Sequence, residues 1–175
     1  MPPVLETKRL RLRPPVTSDL DNIFRLGNNP RVMRFITKGK TQSRSEAMAD
    51  LKKRMRWRDE KLGYWITEEK DSREFIGWMA LKKLDKTNAV EIGYRFLEEH
   101  WSRGFATEGG QAIIDYAFSE LDLTEVVAVA IEENRASTRV MEKLGMSYLG
   151  KGKFYNTECV YYQIKKETWL ANLRS

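Results

Sequence analysis

The stretch of this chain whose residue types best suit a ligand is Trp101-Ser102-Arg103-Gly104-Phe105-Ala106-Thr107-Glu108, between an expected strand and an expected helix. A turn carrying Gly104 and the small Ala106 lets several backbone N–H groups converge. The helix start adds partial positive charge and Arg103 a full one, so the guest that suits such a turn is a phosphate or pyrophosphate. The same residues also make an ordinary tight turn, and spacing alone leaves both readings open. No Gly-Lys-Ser/Thr follows, which excludes a Walker loop, and the three-glycine dinucleotide fingerprint is missing. Just upstream, strand alternation puts Val90, Ile92, Tyr94 and Phe96 on one face and Glu91, Gly93 and Arg95 on the other. That leaves a carboxylate beside a residue with no side chain, where an extended ligand can lie.

Other chemistries are closed off by composition. The single Cys159 and single His100 exclude a disulfide framework and a zinc centre of thiolates or imidazoles, so no metal site is expected. A Cys–His pair running covalent acyl transfer is set aside, because Cys159 falls in a strand rich in aromatics and reads as a small core residue. His100 reads as a loop residue. Thirty-one Lys and Arg against 25 Asp and Glu give a net charge of +6, a surface that attracts anions. The chain opens Met1-Pro2-Pro3-Val4 without a long apolar run and nowhere reaches the ~20 apolar residues of a membrane helix. A cytoplasmic protein that does not enter membranes is the expectation.

These groups must be positioned by elements legible in the hydrophobic period. Residues 5–14 alternate as a strand ended by Pro14-Pro15. A helix capped by Thr17 or Ser18 follows, with Leu20, Ile23 and Phe24 on one face and Asn28-Asn29-Pro30 as its stop. Ser43 and Glu46 stand in capping-box register, and Met48, Leu51, Met55 and Leu62 continue an apolar stripe. From Gly63 the period becomes two, predicting strands over 64–68, 74–83 and 89–97. A helix begins after Ala106, and 126–131 reads as a strand covered on both faces. A shorter helix over 134–144 ends at Gly145, and strands over 146–150 and 158–165 close the chain. Gly109-Gly110, early in a helix, points to close packing beneath or beside a bound ligand. The sum over residues 1–175 is one α/β domain: a mixed, mostly antiparallel sheet of about seven strands flanked by four helices.

At this level of detail the chain resembles the GNAT superfamily of N-acetyltransferases and, within it, the RimJ/RimL-like branch. The resemblance rests on Glu6-Thr7-Lys8-Arg9-Leu10-Arg11-Leu12-Arg13-Pro14, on Glu91-Ile92-Gly93-Tyr94, on residues 101–108, and on Asn134-Arg135-Ala136-Ser137-Thr138-Arg139-Val140-Met141-Glu142-Lys143-Leu144-Gly145-Met146. Trp101 stands where the superfamily's loop usually starts with Gln or Arg, a departure usual in this branch. The resemblance implies acetyl-CoA as co-substrate, its pyrophosphate on Ser102, Arg103, Gly104, Phe105, Ala106 and Thr107. It further implies that the pantetheine arm pairs with the strand at Tyr94, Arg95, Phe96 and Leu97, whose N–H groups polarise the thioester carbonyl. Ser137 would hydrogen-bond the sulfur, and Asn134 would fix the cofactor amide or cap its helix.

Acetyl transfer to an amine needs a neutral nucleophile and a proton for the departing thiolate. Glu91 is the candidate base, its alternative a solvated or salt-bridged surface group. Tyr155, read as a loop residue, is a rival proton donor or else a packing residue. The basic residues from Arg31 to Arg58 read as a solvated helix face. By resemblance the same region borders the acceptor site, where it would favour an acidic peptide N-terminus or an acidic small molecule. Nucleic acid ranks below these as a partner, because no base-reading motif accompanies the charge. The expected function is acetyl-CoA-dependent N-acetyl transfer to a primary amine by direct attack in a ternary complex. A peptide N-terminal α-amine is the preferred acceptor, with a small-molecule amine, or a non-catalytic acyl-CoA-binding regulatory module, as alternatives. Whether the chain acts alone or as a homodimer is left open.

Overall fold

A computed structural model describes residues 1–57 and 61–175; Arg58 of the basic stretch lies outside them. Among the described residues the elements are β1 (Leu5–Glu6), β2 (Leu10–Arg13), α1 (Leu20–Gly27), α2 (Pro30–Thr37), α3 (Arg44–Met55), β3 (Gly63–Glu69), β4 (Phe75–Lys83) and β5 (Val90–Phe96). They continue with α4 (Phe105–Ser119), β6 (Glu125–Ala130), α5 (Arg135–Lys143), β7 (Ser147–Phe154), β8 (Thr157–Lys165) and α6 (Lys166–Arg174). The strand order is β1-β2-β3-β4-β5-β6-β8-β7. The β1/β2, β2/β3, β6/β8 and β7/β8 pairs are antiparallel, and Glu91 pairs with Val127 in a parallel β5/β6 contact. This is the mixed, mostly antiparallel α/β class expected, with eight strands and six α-helices described in place of about seven and four.

Each departure has a local cause. The first helix stops before Asn28-Asn29-Pro30 as expected, but Asn29-Pro30 also starts an unexpected α2. The Asn29 side chain accepts from the Arg31 and Val32 N–H groups, and proline at the first helical position lacks only a donor that would have gone unused. The expected strand over 5–14 is a hairpin, folded where Thr7 N–H donates to the Leu10 carbonyl at 2.9 Å. The α3 capping box forms as expected, Glu46 N–H donating to Ser43 Oγ at 3.2 Å and Ser43 N–H to Glu46 Oε2 at 2.7 Å. The helix ends at Met55, and Leu62 lies beyond it. The C-terminal α6 has no counterpart in the expectation.

The chain divides into two compact units, Met1–Ala80 with Tyr94–Gly109, and Leu81–Gly93 with Gly110–Ser175. In the first unit, Ile23, Leu26, Leu51, Ile66, Trp78 and Leu97 share one buried cluster, so the apolar stripes of α1 and α3 cover strand residues. The backbone approach is close at Gly77, where an added Cβ would stand 2.1 Å from the Arg95 carbonyl oxygen. In the second unit, Val126, Val127 and Ala128 are buried in succession, as expected of a strand covered on both faces. Trp169 of α6 packs at a tilt against Phe118, with ring centroids 5.5 Å apart, and donates to Asp115 at 2.7 Å.

Candidate active site

In the first unit, residues 102–107 form the turn into α4. Ser102 and Gly104 have φ of 59° and 79°, and the left-handed Gly104 is open enough that an added Cβ would meet only Arg9 Nη2, at 3.4 Å. Ser102, Arg103 and Gly104 are exposed while Phe105 is buried, which plants the helix start and leaves the turn outward. The first-turn N–H groups of α4 have no partner within the helix. Arg9 and Arg103 each place a guanidinium 4.6 Å from the Phe105 ring centroid, so two cations stand at the helix end, that of Arg9 paired with Glu108. The donor set fits a pyrophosphate.

A device the sequence reading missed holds this turn. Glu108 accepts from Thr7 Oγ1 at 2.6 Å, from Arg9 N–H at 2.8 Å and from Arg9 Nε at 2.7 Å. Arg9 Nη1 then donates to the Arg103 carbonyl at 3.0 Å. Burial pushes the Glu108 carboxyl up, but the hydrogen bonds from Thr7 and Arg9 outweigh it and hold the group below the usual carboxylate range. Thr7, Arg9 and Glu108 all lie in stretches that carry the family resemblance. Nothing in the sequence pairs them, because their contact spans about a hundred residues.

In the second unit, Glu91 is not a solvated surface group. It is 5% exposed, and its Oε1 receives both the Lys82 ammonium and the Tyr155 hydroxyl, while Lys82 also donates to Tyr155. Tyr155 and Asn156 form the tight β7–β8 turn, both with positive φ of 52° and 58°, and the Tyr155 N–H is fixed by Asp85 at 2.8 Å. So two of the three candidate catalytic residues meet, and Lys82 joins them unforeseen. The one signal for Lys82 was a cation continuing an otherwise apolar strand, Phe75-Ile76-Gly77-Trp78-Met79-Ala80-Leu81.

The remaining candidates lie on other elements. Asn134 caps α5, its side-chain oxygen accepting from the Ser137 N–H at 3.3 Å, and Ser137 is half-buried in the first turn. The Leu97 N–H donates to the Ile76 carbonyl at 2.9 Å, which withdraws it from any thioester, and Trp101 Nε1 donates to the Phe96 carbonyl at 3.0 Å. Cys159 is buried, and burial together with the Glu91 charge pushes its thiol up, away from nucleophilic chemistry. His100 lies in the connection between β5 and α4 and is buried, with Nδ1 at 3.2 Å from Arg103 Nη1. Close packing at Gly109 and Gly110 exists, but against protein. A Cβ would stand 2.5 Å from Met79 Sδ at the former and 2.9 Å from Leu144 Cδ1 at the latter. Among the described residues no cluster of His, Cys, Asp and Glu could hold a metal ion, and none of their helices is long and apolar enough to cross a membrane.

A family model described as an acetyltransferase (GNAT) domain matches residues 9–147. A curated relative, an uncharacterised N-acetyltransferase of Bacillus subtilis, is 35% identical over 150 residues, covering 85% of each chain. A spermidine N-acetyltransferase from Vibrio cholerae, solved with CoA and spermine, superposes with a TM-score of 0.77 at 22% identity, over 94% of this chain and 99% of that one. A ribosomal α-N-protein acetyltransferase solved with coenzyme A superposes with a TM-score of 0.79 at 16% identity, over 93% and 98%. At these identities the two structures establish a shared fold, while their acceptors differ.

Proposed function

The chain belongs to the GNAT acetyltransferase family and is an acetyltransferase enzyme, and from that premise we propose that all of residues 1–175 act as one domain moving acetyl from acetyl-CoA to a primary amine by direct attack. The observation that carries the reading is the turn 102–107, exposed at Ser102, Arg103 and Gly104, flanked by Arg9 and Arg103 and pinned through Glu108. Acetyl-CoA, when bound, supplies an acetyl group on a thioester already activated for attack. This chain's part is to hold the pyrophosphate with the 102–107 turn, to polarise the thioester carbonyl with backbone N–H groups of 94–96, and to move protons. Glu91, kept in place by Lys82 and Tyr155, takes the proton from the amine. The Ser137 hydroxyl assists the departing sulfur, with Asn134 fixing the first turn of α5, and Tyr155 stands as the rival proton donor.

We assign the chain to the RimJ/RimL-like branch, acting in the cytoplasm on a protein N-terminal α-amine. Such an amine has a reference pKa of about 7.7–8.0 and is partly neutral at physiological pH, so a fraction of it is ready to attack, and Glu91 takes the proton it loses on becoming an amide. A small-molecule amine is the second reading, favoured by the likeness to a polyamine-acetylating fold. Release of free CoA thiol, followed on adding N-terminal peptides, amino acids and polyamines in turn, tests the proposal. Turnover with peptides is the expected result; turnover with polyamines alone selects the second reading. Tight acetyl-CoA binding without turnover across the panel overturns the transferase reading in favour of a binding module.

A further inference from the structure

Most of the basic stretch from Arg31 onward is solvated, as in Arg31 and Arg44, whose side chains are 72% and 58% exposed and ion-paired. Arg54 is different. It is 8% exposed, and its guanidinium lies 4.0 Å from the Trp78 ring centroid and 4.5 Å from that of Tyr64. Asp50, one helical turn back, accepts from Nε at 3.2 Å and Nη2 at 2.9 Å, while the buried Nη1 has no acceptor among the described residues. A second guanidinium, that of Arg95, approaches the same indole at 5.2 Å, and its Nε is likewise buried without an acceptor among the described residues. Burial first, and the Arg54 charge second, pull Arg95 down to about 10, with Asp50 opposing.

Arg54 is ion-paired with Asp50, while the half-buried Arg95 has no ion-pair partner among the described residues, so one positive charge is left over beside unused donors. A buried charge without a partner is costly, and buried polar groups are as a rule hydrogen-bonded. Guanidiniums set over aromatic rings keep their in-plane N–H groups for a planar, bidentate acceptor. The surplus of one charge matches a monoanion and not a phosphate dianion.

We infer that Arg54 and Arg95, set against Trp78, form a subsite for a carboxylate carried by the acceptor amine. The anion site stands on the geometry above; that its guest is the acceptor rests on the transferase reading.

The test begins without acetyl-CoA. Succinate, with uncharged succinamide as control, is titrated at constant ionic strength and followed by the fluorescence of the neighbouring indoles. Saturable binding of succinate but not succinamide is expected, weakened about tenfold or more in Arg95→Gln, less in Arg95→Lys, and unchanged in Arg31→Gln and Arg44→Gln. Arg95→Lys keeps the charge, so it remains readable if Arg95→Gln fails to fold. Absence of saturable binding, or equal binding in wild type and Arg95→Lys, overturns the subsite, and inorganic phosphate binding tenfold tighter than succinate overturns the carboxylate assignment. In the second arm, CoA release is compared for Asp-Ala-Ala and Asn-Ala-Ala peptides and for glutamate and glutamine. The acidic member of at least one pair is expected to be favoured about tenfold in kcat/KM, with the preference lost in Arg95→Gln; equal rates within both pairs overturn the acceptor assignment. Succinate binding in a chain that acetylates nothing removes the transferase reading and keeps the anion site. CoA release without succinate binding does the reverse.

Discussion

In the turn 102–107 the binding atoms are chiefly backbone N–H groups contiguous in sequence, while Arg9 and Arg103 add charge and Glu108 holds the turn. In the Lys82–Glu91–Tyr155 cluster every working atom belongs to a side chain, and the three come from β4, β5 and the β7–β8 turn. The difference predicts unlike sensitivities. A backbone site tolerates most side-chain changes and fails where Cβ enters the turn, whereas the cluster fails at each member separately. It also explains the uneven electrostatics, since the turn faces outward while Glu91 and Lys82 have side chains only 6% and 17% exposed.

The largest effect is expected from Glu91→Gln. If Glu91 takes the amine proton, kcat falls about 10²–10⁴-fold near pH 7 and recovers at high pH, where the amine deprotonates unaided, while acetyl-CoA affinity barely moves. Ser137→Ala should lose kcat at all pH values, because raising the pH supplies no proton to sulfur. Profiles over roughly pH 6 to 9.5 with one acceptor separate the two roles; parallel profiles, or drops under fivefold, would return the work to positioning alone.

Next comes Lys82→Met, which leaves Glu91 buried without its cation. Breaking such a pair costs about 3–5 kcal/mol, read as a lowered urea midpoint, with Lys82→Arg recovering most of it. An unchanged midpoint would mean that the cluster adds nothing to the fold and differs from the turn less than the geometry implies.

Gly104→Val tests the backbone side of the comparison. It strains a left-handed position and should raise the acetyl-CoA Kd about tenfold, on the order of 1.4 kcal/mol, with kcat at saturation little changed. The same Kd in a folded variant would sink the pyrophosphate assignment.

The smallest effect concerns the Glu108 staple. Its carboxyl sits below the ordinary value of 4.5 in the folded chain, so the stability it contributes is present above that pH and is lost as the pH falls through the folded value. The Tm difference between wild type and Glu108→Gln should therefore hold at neutral pH and shrink below about pH 4.5. A difference independent of pH would assign the staple's effect to packing.

What could be read from residue order was what neighbouring residues decide among themselves. The Ser43/Glu46 capping box, the left-handed Gly145 with φ of 78°, the strand–turn–helix around Gly104 and the buried run of β6 each depend on contacts within a few residues. Asn29-Pro30 shows the limit even there, for the same pair ends one helix and begins another, and only the side-chain bonds of Asn29 choose. Glu91 was legible as a carboxylate on a strand, but its state was not, because Lys82 and Tyr155 reach it only through strand pairing and a hairpin turn. Arg54 was one cation among ten in the basic stretch until helix packing set it, alone of those described, against Trp78. Gly109 and Gly110 announced a close approach without naming what approaches; packing supplied Met79 and Leu144. Local backbone preference and hydrophobic period act over one turn of chain. Burial, charge pairing and the choice of partner arise between segments tens of residues apart, and these the tertiary structure alone decided.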